Sequence, residues 1–258
     1  MLLIISPSKT LEPSPPVCPS CTLPVFLDEA EVLSTKLKSF SKEQLARLMK
    51  LSPQLAELNF ERNQSWSRPF TPQNAKPAVY SFSGDVYTSL DAKNFTESEL
   101  SFAQSHLRIL SGFYGVLRPL DLIQPYRLEM GTSLETSKGK NLYQFWGNTI
   151  TEELNRSFQE QSESELVLIN LASNEYFKSI ALKKLTPAVI TPVFKEKKGD
   201  TYKVVAVRAK RARGRMTRYI IKNQIRSPES IKSFSEMGYR YHSKLSKKNE
   251  WIFCRNGS

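Results

Sequence analysis

The stretch Leu166-Val-Leu-Ile-Asn-Leu171 decides the fold: five of its six residues are apolar and they do not alternate with polar ones. A run this short and this evenly apolar reads as a strand buried on both faces, at the centre of a sheet. The residues after it, Ala172-Ser-Asn-Glu-Tyr176, are polar and turn-forming, and sites in open α/β sheets commonly form beyond strand C-termini. The chain begins the same way. Leu2 to Ile5 is apolar and runs directly into Ser6-Pro7, so it reads as a second buried strand and not as a signal peptide.

Outward from these two runs, helical and strand patterns alternate irregularly. A loop rich in proline (Pro7, Pro13, Pro15, Pro16, Pro19, Pro24) is expected to be non-regular, wrapping a surface or forming a lid. Leucines at mixed three- and four-residue spacings then predict helices to about Trp66, with Ser52-Pro53 opening one of them. Ala78 to Phe82 is expected to be a strand ending at Gly84. Thr96 with Glu99 has capping-box spacing, and the helix it opens is expected to reach Leu110. Leu142, Phe145, Trp146, Ile150, Leu154 and Phe158 predict one amphipathic helix. Val189–Phe194 with Tyr202–Val207 predicts a hairpin, followed by a basic helix from about Arg211 to Ile225 and a second hairpin over Tyr239–Phe253. The sum is an α+β chain whose mixed-sheet strands are interleaved with helices. No repeat or linker divides it, so residues 1–258 are expected to form a single domain with a basic C-terminal third.

That third, residues 178–258, holds 21 Lys/Arg against 5 Asp/Glu, whereas residues 1–177 hold 16 against 20. Such a lopsided charge implies a polyanionic partner, and double-stranded or distorted DNA is the expected one; the alternative is a solvated basic face. No apolar run approaches the length of a membrane span, and no membrane partner is expected. Three cysteines without an export signal point to a reducing cytoplasm.

Three groups of residues carry the candidate chemistry. On the basic helix, Arg211, Arg215, Arg218 and Lys222 share one stripe, with Ala212, Met216, Tyr219 and Ile220 as the docking arc. Like charges so spaced need an opposing partner, which a phosphate backbone supplies, and Arg213-Gly214 offers a small residue where a ligand could approach backbone. The second group is Leu110-Ser-Gly-Phe-Tyr-Gly-Val-Leu-Arg-Pro-Leu120. A helix, a turn with Gly112 and Gly115, and a further segment resemble helix–hairpin–helix modules that grip phosphate; a plain helix end and turn is the alternative. The third group lies in turn-rich segments: Lys9, Asp85, Tyr87, Asp121, Tyr126, Arg127, Glu129, Asn170, Ser173, Asn174, Glu175 and Tyr176. These suit acid–base work on a base or sugar, or else salt bridges and loop caps.

Other chemistries are disfavoured. There is no Walker A sequence and no Gly-x-Gly-x-x-Gly after a strand. With only His106 and His242, a histidine-rich metal site is not expected, and Cys18-Pro-Ser-Cys21 has no second pair to complete a zinc site. No metal and no cofactor is therefore assigned.

Taken together, these segments resemble the YaaA family of bacterial peroxide-stress resistance proteins. The matching blocks are Ile5-Ser-Pro-Ser-Lys-Thr10, Gly84-Asp-Val-Tyr-Thr88, the run from Leu110 to Gly131, Leu142-Tyr-Gln-Phe-Trp146, Asn170 to Lys178 and Lys210-Arg-Ala-Arg-Gly214. Ser89 departs from the pattern, which has Gly after Tyr87-Thr88. The resemblance implies a cytoplasmic protein that protects DNA in peroxide stress and takes part in iron homeostasis by limiting free iron, on an uncommon fold. It also implies duplex binding through a positive cleft and a helix–hairpin–helix. The DNA-binding residues so expected are Gly112, Tyr114, Gly115 and Arg118 of the hairpin, with Lys210, Arg211, Arg213, Arg215, Arg218 and Lys222 of the basic helix. A rival function is an enzyme acting on damaged nucleic acid in a pocket lined by Lys9, Asp85, Glu129 and Glu175, with Lys9 as a Schiff-base nucleophile. A third is direct iron handling through carboxylate and Tyr ligands, which so few His and Cys disfavour.

Overall fold

The computed structural model describes residues 1–12, 20–160 and 166–256. In chain order the elements are β1 (Leu2–Ile5), β2 (Thr10–Leu11), α1 (Leu27–Lys38), α2 (Lys42–Met49), α3 (Pro53–Ser65), β3 (Lys76–Pro77), α4 (Ala78–Ser81) and β4 (Phe82–Ser83). There follow α5 (Asp85–Leu90), α6 (Glu97–His106), β5 (Leu107–Ser111), β6 (Gly115–Leu117), β7 (Leu122–Ile123), α7 (Leu142–Trp146) and α8 (Thr149–Gln159). The chain continues through β8 (Val167–Asn170), α9 (Asn174–Phe177), β9 (Ala188–Lys198), β10 (Thr201–Lys203), α10 (Ala206–Lys222), β11 (Arg240–Tyr241) and β12 (Glu250–Arg255). Short 3-10 turns connect several of them.

The main sheet is mixed, in the order β11-β12-β9-β8-β1-β5-β6, with β10 paired to β9. Its centre is parallel, from β12 through β9, β8 and β1 to β5. The outer pairs β5–β6, β10–β9 and β11–β12 are antiparallel. β1 and β8 lie side by side at the middle, Leu3 against Ile169, and every residue of both is buried. Strands covered on both faces cannot alternate, which is why these two read as uninterrupted apolar runs. After β1 the chain goes to β5 on one side, and after β8 to β9 on the other. Their C-terminal loops therefore part at this point, leaving a crevice at the sheet's topological switch. The buried apolar cluster runs from Met1 to Phe253 and includes residues on both flanks of the sheet.

Both predicted hairpins form, although β10 is short because α10 starts at Ala206, five residues before the expected helix start. Ser52 caps α3 with Pro53 in its first turn, and Thr96 and Glu99 complete the capping box of α6. α6 ends at His106, not Leu110: Leu107 to Ile109 pair with β1 and Ile109 to Ser111 with β6, and sheet pairing overrides the helical pattern. Ala78 to Ser81 is a helical turn, with only Phe82 of the expected strand extended. The helix expected from Leu142 to Phe158 is broken at Gly147, whose φ is +49°. Of the proline-rich loop, residues 13–19 lie outside the described residues, and so does Cys18 of the Cys18/Cys21 pair.

The helix–hairpin–helix expected around Gly112 to Arg118 is replaced by a strand–turn–strand. β5 and β6 pair with Ser111 opposite Gly115, and Gly112 to Leu117 are all buried. The glycines serve packing instead. A Cβ on Gly112 would sit 2.5 Å from the Leu128 carbonyl oxygen, and Gly115, at φ +69°, would place one 2.8 Å from the Trp146 ring. The Gly112 carbonyl already accepts from Trp146 Nε1 at 3.0 Å. No phosphate can reach these backbone groups.

Candidate functional site

The crevice at the switch point is a cleft of about 480 Å³. Five separate segments build it. Ser6 to Thr10 follows β1, and Ser173, Glu175 and Tyr176 follow β8; Ser83 to Tyr87 lead into α5, Tyr126 to Glu129 form a loop, and Lys210 and Arg213 come from α10. Ser6 Oγ accepts the Ser173 N–H at 2.9 Å and donates to Ser173 Oγ at 3.3 Å, joining the two loops where they diverge.

The floor holds three tyrosines, Tyr87, Tyr126 and Tyr176. Tyr87 donates to the Ser6 carbonyl at 2.9 Å, and Tyr126 shares a 2.7 Å hydrogen bond with Ser111. Burial pushes all three phenols above their ordinary pKa. They therefore stay neutral. On the walls, Lys9 Nζ lies 2.6 Å from Glu129 Oε2, and Arg127 Nη2 is 3.4 Å from Glu129 Oε1. Glu175 accepts the Gly131 N–H at 2.9 Å through one carboxylate oxygen. A Schiff-base lysine must be free of its proton and desolvated. Lys9 is exposed and bonded to a carboxylate, so its geometry does not support that role.

The charge stripe of α10 behaves differently from the sequence expectation. Arg211 pairs with Asp85 at 2.8 Å, Arg215 with Glu236 at 3.5 Å, Arg218 with Asp91 at 3.0 Å and Lys222 with Glu99 at 3.7 Å. The like charges are compensated by carboxylates of the protein itself, and no external phosphate is needed to explain them. Arg208, in the first turn, reaches the buried Glu196 at 2.5 Å. That leaves Lys210 and Arg213. Neither has a carboxylate partner among the described residues, and both line the cleft. Arg213 is half-buried, and burial alone holds its pKa below the usual guanidinium value.

Gly214 beside it is occupied from another direction. A Cβ there would lie 2.1 Å from the Val86 carbonyl oxygen and 2.8 Å from Ser89 Cβ, so α5, and not a ligand, takes the close approach. Ser89 accordingly sits within α5 and not in a turn.

Of the remaining expected residues, Tyr114 is fully buried in a core network, its hydroxyl accepting from Trp66 Nε1 at 3.2 Å. Arg118 is held by Asp121 at 3.1 Å and by the Leu23 carbonyl. Asp121 and Asn170 serve as local hydrogen-bond partners, Asp121 for Thr22 and Asn170 for the Ala172 N–H, and Asn174 does not line the cleft. Lys9, Asp85, Tyr87, Tyr126, Arg127, Glu129, Ser173, Glu175 and Tyr176 do meet there. Ser6, Ser8 and Ser83 were not singled out from the sequence. The signal for Ser6 and Ser8 was present, because they follow the first apolar run as Ser173 and Glu175 follow the other.

Among the described residues no group of three or more His, Cys, Asp or Glu is placed to hold a metal ion. Among them, too, no helix is long and apolar enough to cross a membrane.

The family model described as peroxide stress protein YaaA matches residues 1–245. The chain belongs to this family. UPF0246 proteins of Magnetococcus marinus and Colwellia psychrerythraea are 51% and 50% identical to it, each over the whole of both chains. A UPF0246 protein of Hahella chejuensis is 52% identical over 99% of this chain and all of its own. Of the family blocks read from the sequence, Ile5–Thr10, Gly84–Thr88, the run from Leu110 to Gly131, Asn170–Lys178 and Lys210–Gly214 each contribute residues to the cleft, and Leu142–Trp146 does not.

Proposed function

We propose that this peroxide stress protein is a cytoplasmic DNA-binding protein that holds backbone phosphate with Lys210 and Arg213 of the cleft. One observation carries the proposal. Of the seven cations on α10, five have carboxylate partners, and the two without any among the described residues converge on one concave site. Uncompensated cations facing a cleft attract a polyanion, and a half-buried guanidinium gains most from an anion that replaces its lost water. The proposal includes the limiting of free iron through action on DNA, and a ferrous-ion titration that showed tight binding without DNA would contradict that route.

Fluorescence anisotropy with duplex DNA tests the proposal. Lys210→Glu with Arg213→Gln lowers affinity at least tenfold while the circular dichroism spectrum is retained. Arg215→Glu, a change at a cation already paired with Glu236, has a smaller effect. The reverse ranking overturns the assignment.

A second function is supported by the meeting of Lys9, Asp85, Glu129 and Glu175 in one cleft: an enzyme acting on a damaged nucleotide. Incubation with lesion-bearing DNA and gel analysis separates the two, since a binder leaves the strand unchanged.

A further inference from the structure

The cleft carries charges of both signs. Of the charged residues lining the cleft, Lys9 and Arg127 are engaged by Glu129 and Asp85 by Arg211, while Lys210 and Arg213 present two positive charges with no carboxylate partner among the described residues and Glu175 lines the same cleft. A phosphodiester brings one negative charge, whereas a phosphomonoester brings about −1.5 to −2 near neutral pH and three acceptor oxygens. Two cations match the monoester. The volume, about 480 Å³, falls in the range that encloses small organic ligands and is too small to admit a duplex. An ionised carboxylate accepts hydrogen bonds and does not donate them, so a ligand reaching Glu175 must offer O–H or N–H groups. Glu175 uses one oxygen on Gly131 N–H, which leaves the second for such a donor. Tyr87, Tyr126 and Tyr176, all buried, also line the cleft.

We propose that the cleft binds a nucleoside monophosphate, with its phosphate against Lys210 and Arg213 and its sugar hydroxyl or base amino groups toward the second oxygen of Glu175. The nucleotide is either free or the 5′-phosphorylated end of a DNA strand. The site rests on the reading above only in that Lys210 and Arg213 hold phosphate.

Isothermal titration of the full chain with dAMP, deoxyadenosine, a duplex closed by loops at both ends, and a nicked duplex with a 5′-phosphate tests it. dAMP binds saturably and deoxyadenosine at least tenfold more weakly. Lys210→Ala, a change at an exposed side chain that leaves the fold intact, weakens dAMP roughly tenfold, as loss of a charge-assisted hydrogen bond does. Competition by dAMP against the nicked duplex, but not against the closed one, identifies the strand end as the DNA source. Competition against neither identifies the free nucleotide. Absence of saturable dAMP binding, equal affinity for deoxyadenosine, or an unchanged dAMP affinity in Lys210→Ala overturns the nucleotide site. If the closed duplex still binds in that case, DNA binding stands without it. If dAMP binds and no duplex does, the nucleotide site stands and the DNA function falls.

Discussion

Gly214→Ala measures how tightly the cleft wall is fixed. The added Cβ would lie 2.1 Å from the Val86 carbonyl oxygen and 2.8 Å from Ser89 Cβ. Carbon and carbonyl oxygen ordinarily come no closer than about 3.3 Å. α10 must therefore move away from α5 by about 1 Å, and Ala212, Met216 and Ile220 on the same helix are fully buried. Overpacking of this kind costs about 1–3 kcal/mol, and a backbone obstacle puts it at the upper end. Alanine returns about 0.5–1 kcal/mol through its better helix propensity. The net loss is about 2 kcal/mol, a fall in Tm of roughly 4–8 °C for a chain of this size. Because Lys210 and Arg213 ride on α10 and Asp85 on α5, the displacement also widens the cleft, and the proposed phosphate binding should weaken with it. Calorimetric melting is the assay. An unchanged or raised Tm would refute close α5–α10 packing through Gly214.

Gly115→Val, which a helix–hairpin–helix would make a DNA-binding defect, is expected to lower Tm by several degrees, because its φ is +69° and a Cβ would meet Trp146 and Phe26; a variant that melts as wild type contradicts that turn. Glu196 gives an acid limb to stability. Burial pushes its pKa up, but the Tyr239 hydroxyl, Arg208 and Arg255 outweigh this and hold it below the ordinary value of 4.5. A carboxyl with a depressed folded pKa stabilises fully above about 4.5, and that contribution is lost as pH falls through the folded value. Urea unfolding from pH 6 to 3 should show the loss, and Glu196→Gln should flatten it. His106, which burial first of all lowers to about 4, adds destabilisation as pH falls from 6.5 toward 4, since the unfolded chain takes up the proton first. His106→Gln should remove that component in the same unfolding series.

The central strands were legible because burial on both faces writes an unbroken apolar run, as in Leu2–Ile5 and Leu166–Leu171. The two hairpins were legible from their turns. Leu107 to Ser111 was not, since its apolar residues fit the end of a helix as well as a strand, and only pairing with β1 decides between them. Much of the cleft was visible as polar residues placed just after buried strands. The ion pairs of α10 were not, because Asp85 lies 126 residues before Arg211, and no local pattern joins them. The stripe with the strongest helical periodicity was thus the compensated one. Lys210 and Arg213, off that stripe, are the cations that face the cleft.

The most direct test of phosphate binding at these two residues is the slope of log affinity for duplex DNA against log salt. Each phosphate contact contributes about −0.9, so Lys210→Ala with Arg213→Gln should make the slope shallower by about 1.8 than that of the wild type. Parallel slopes for the two proteins would contradict it.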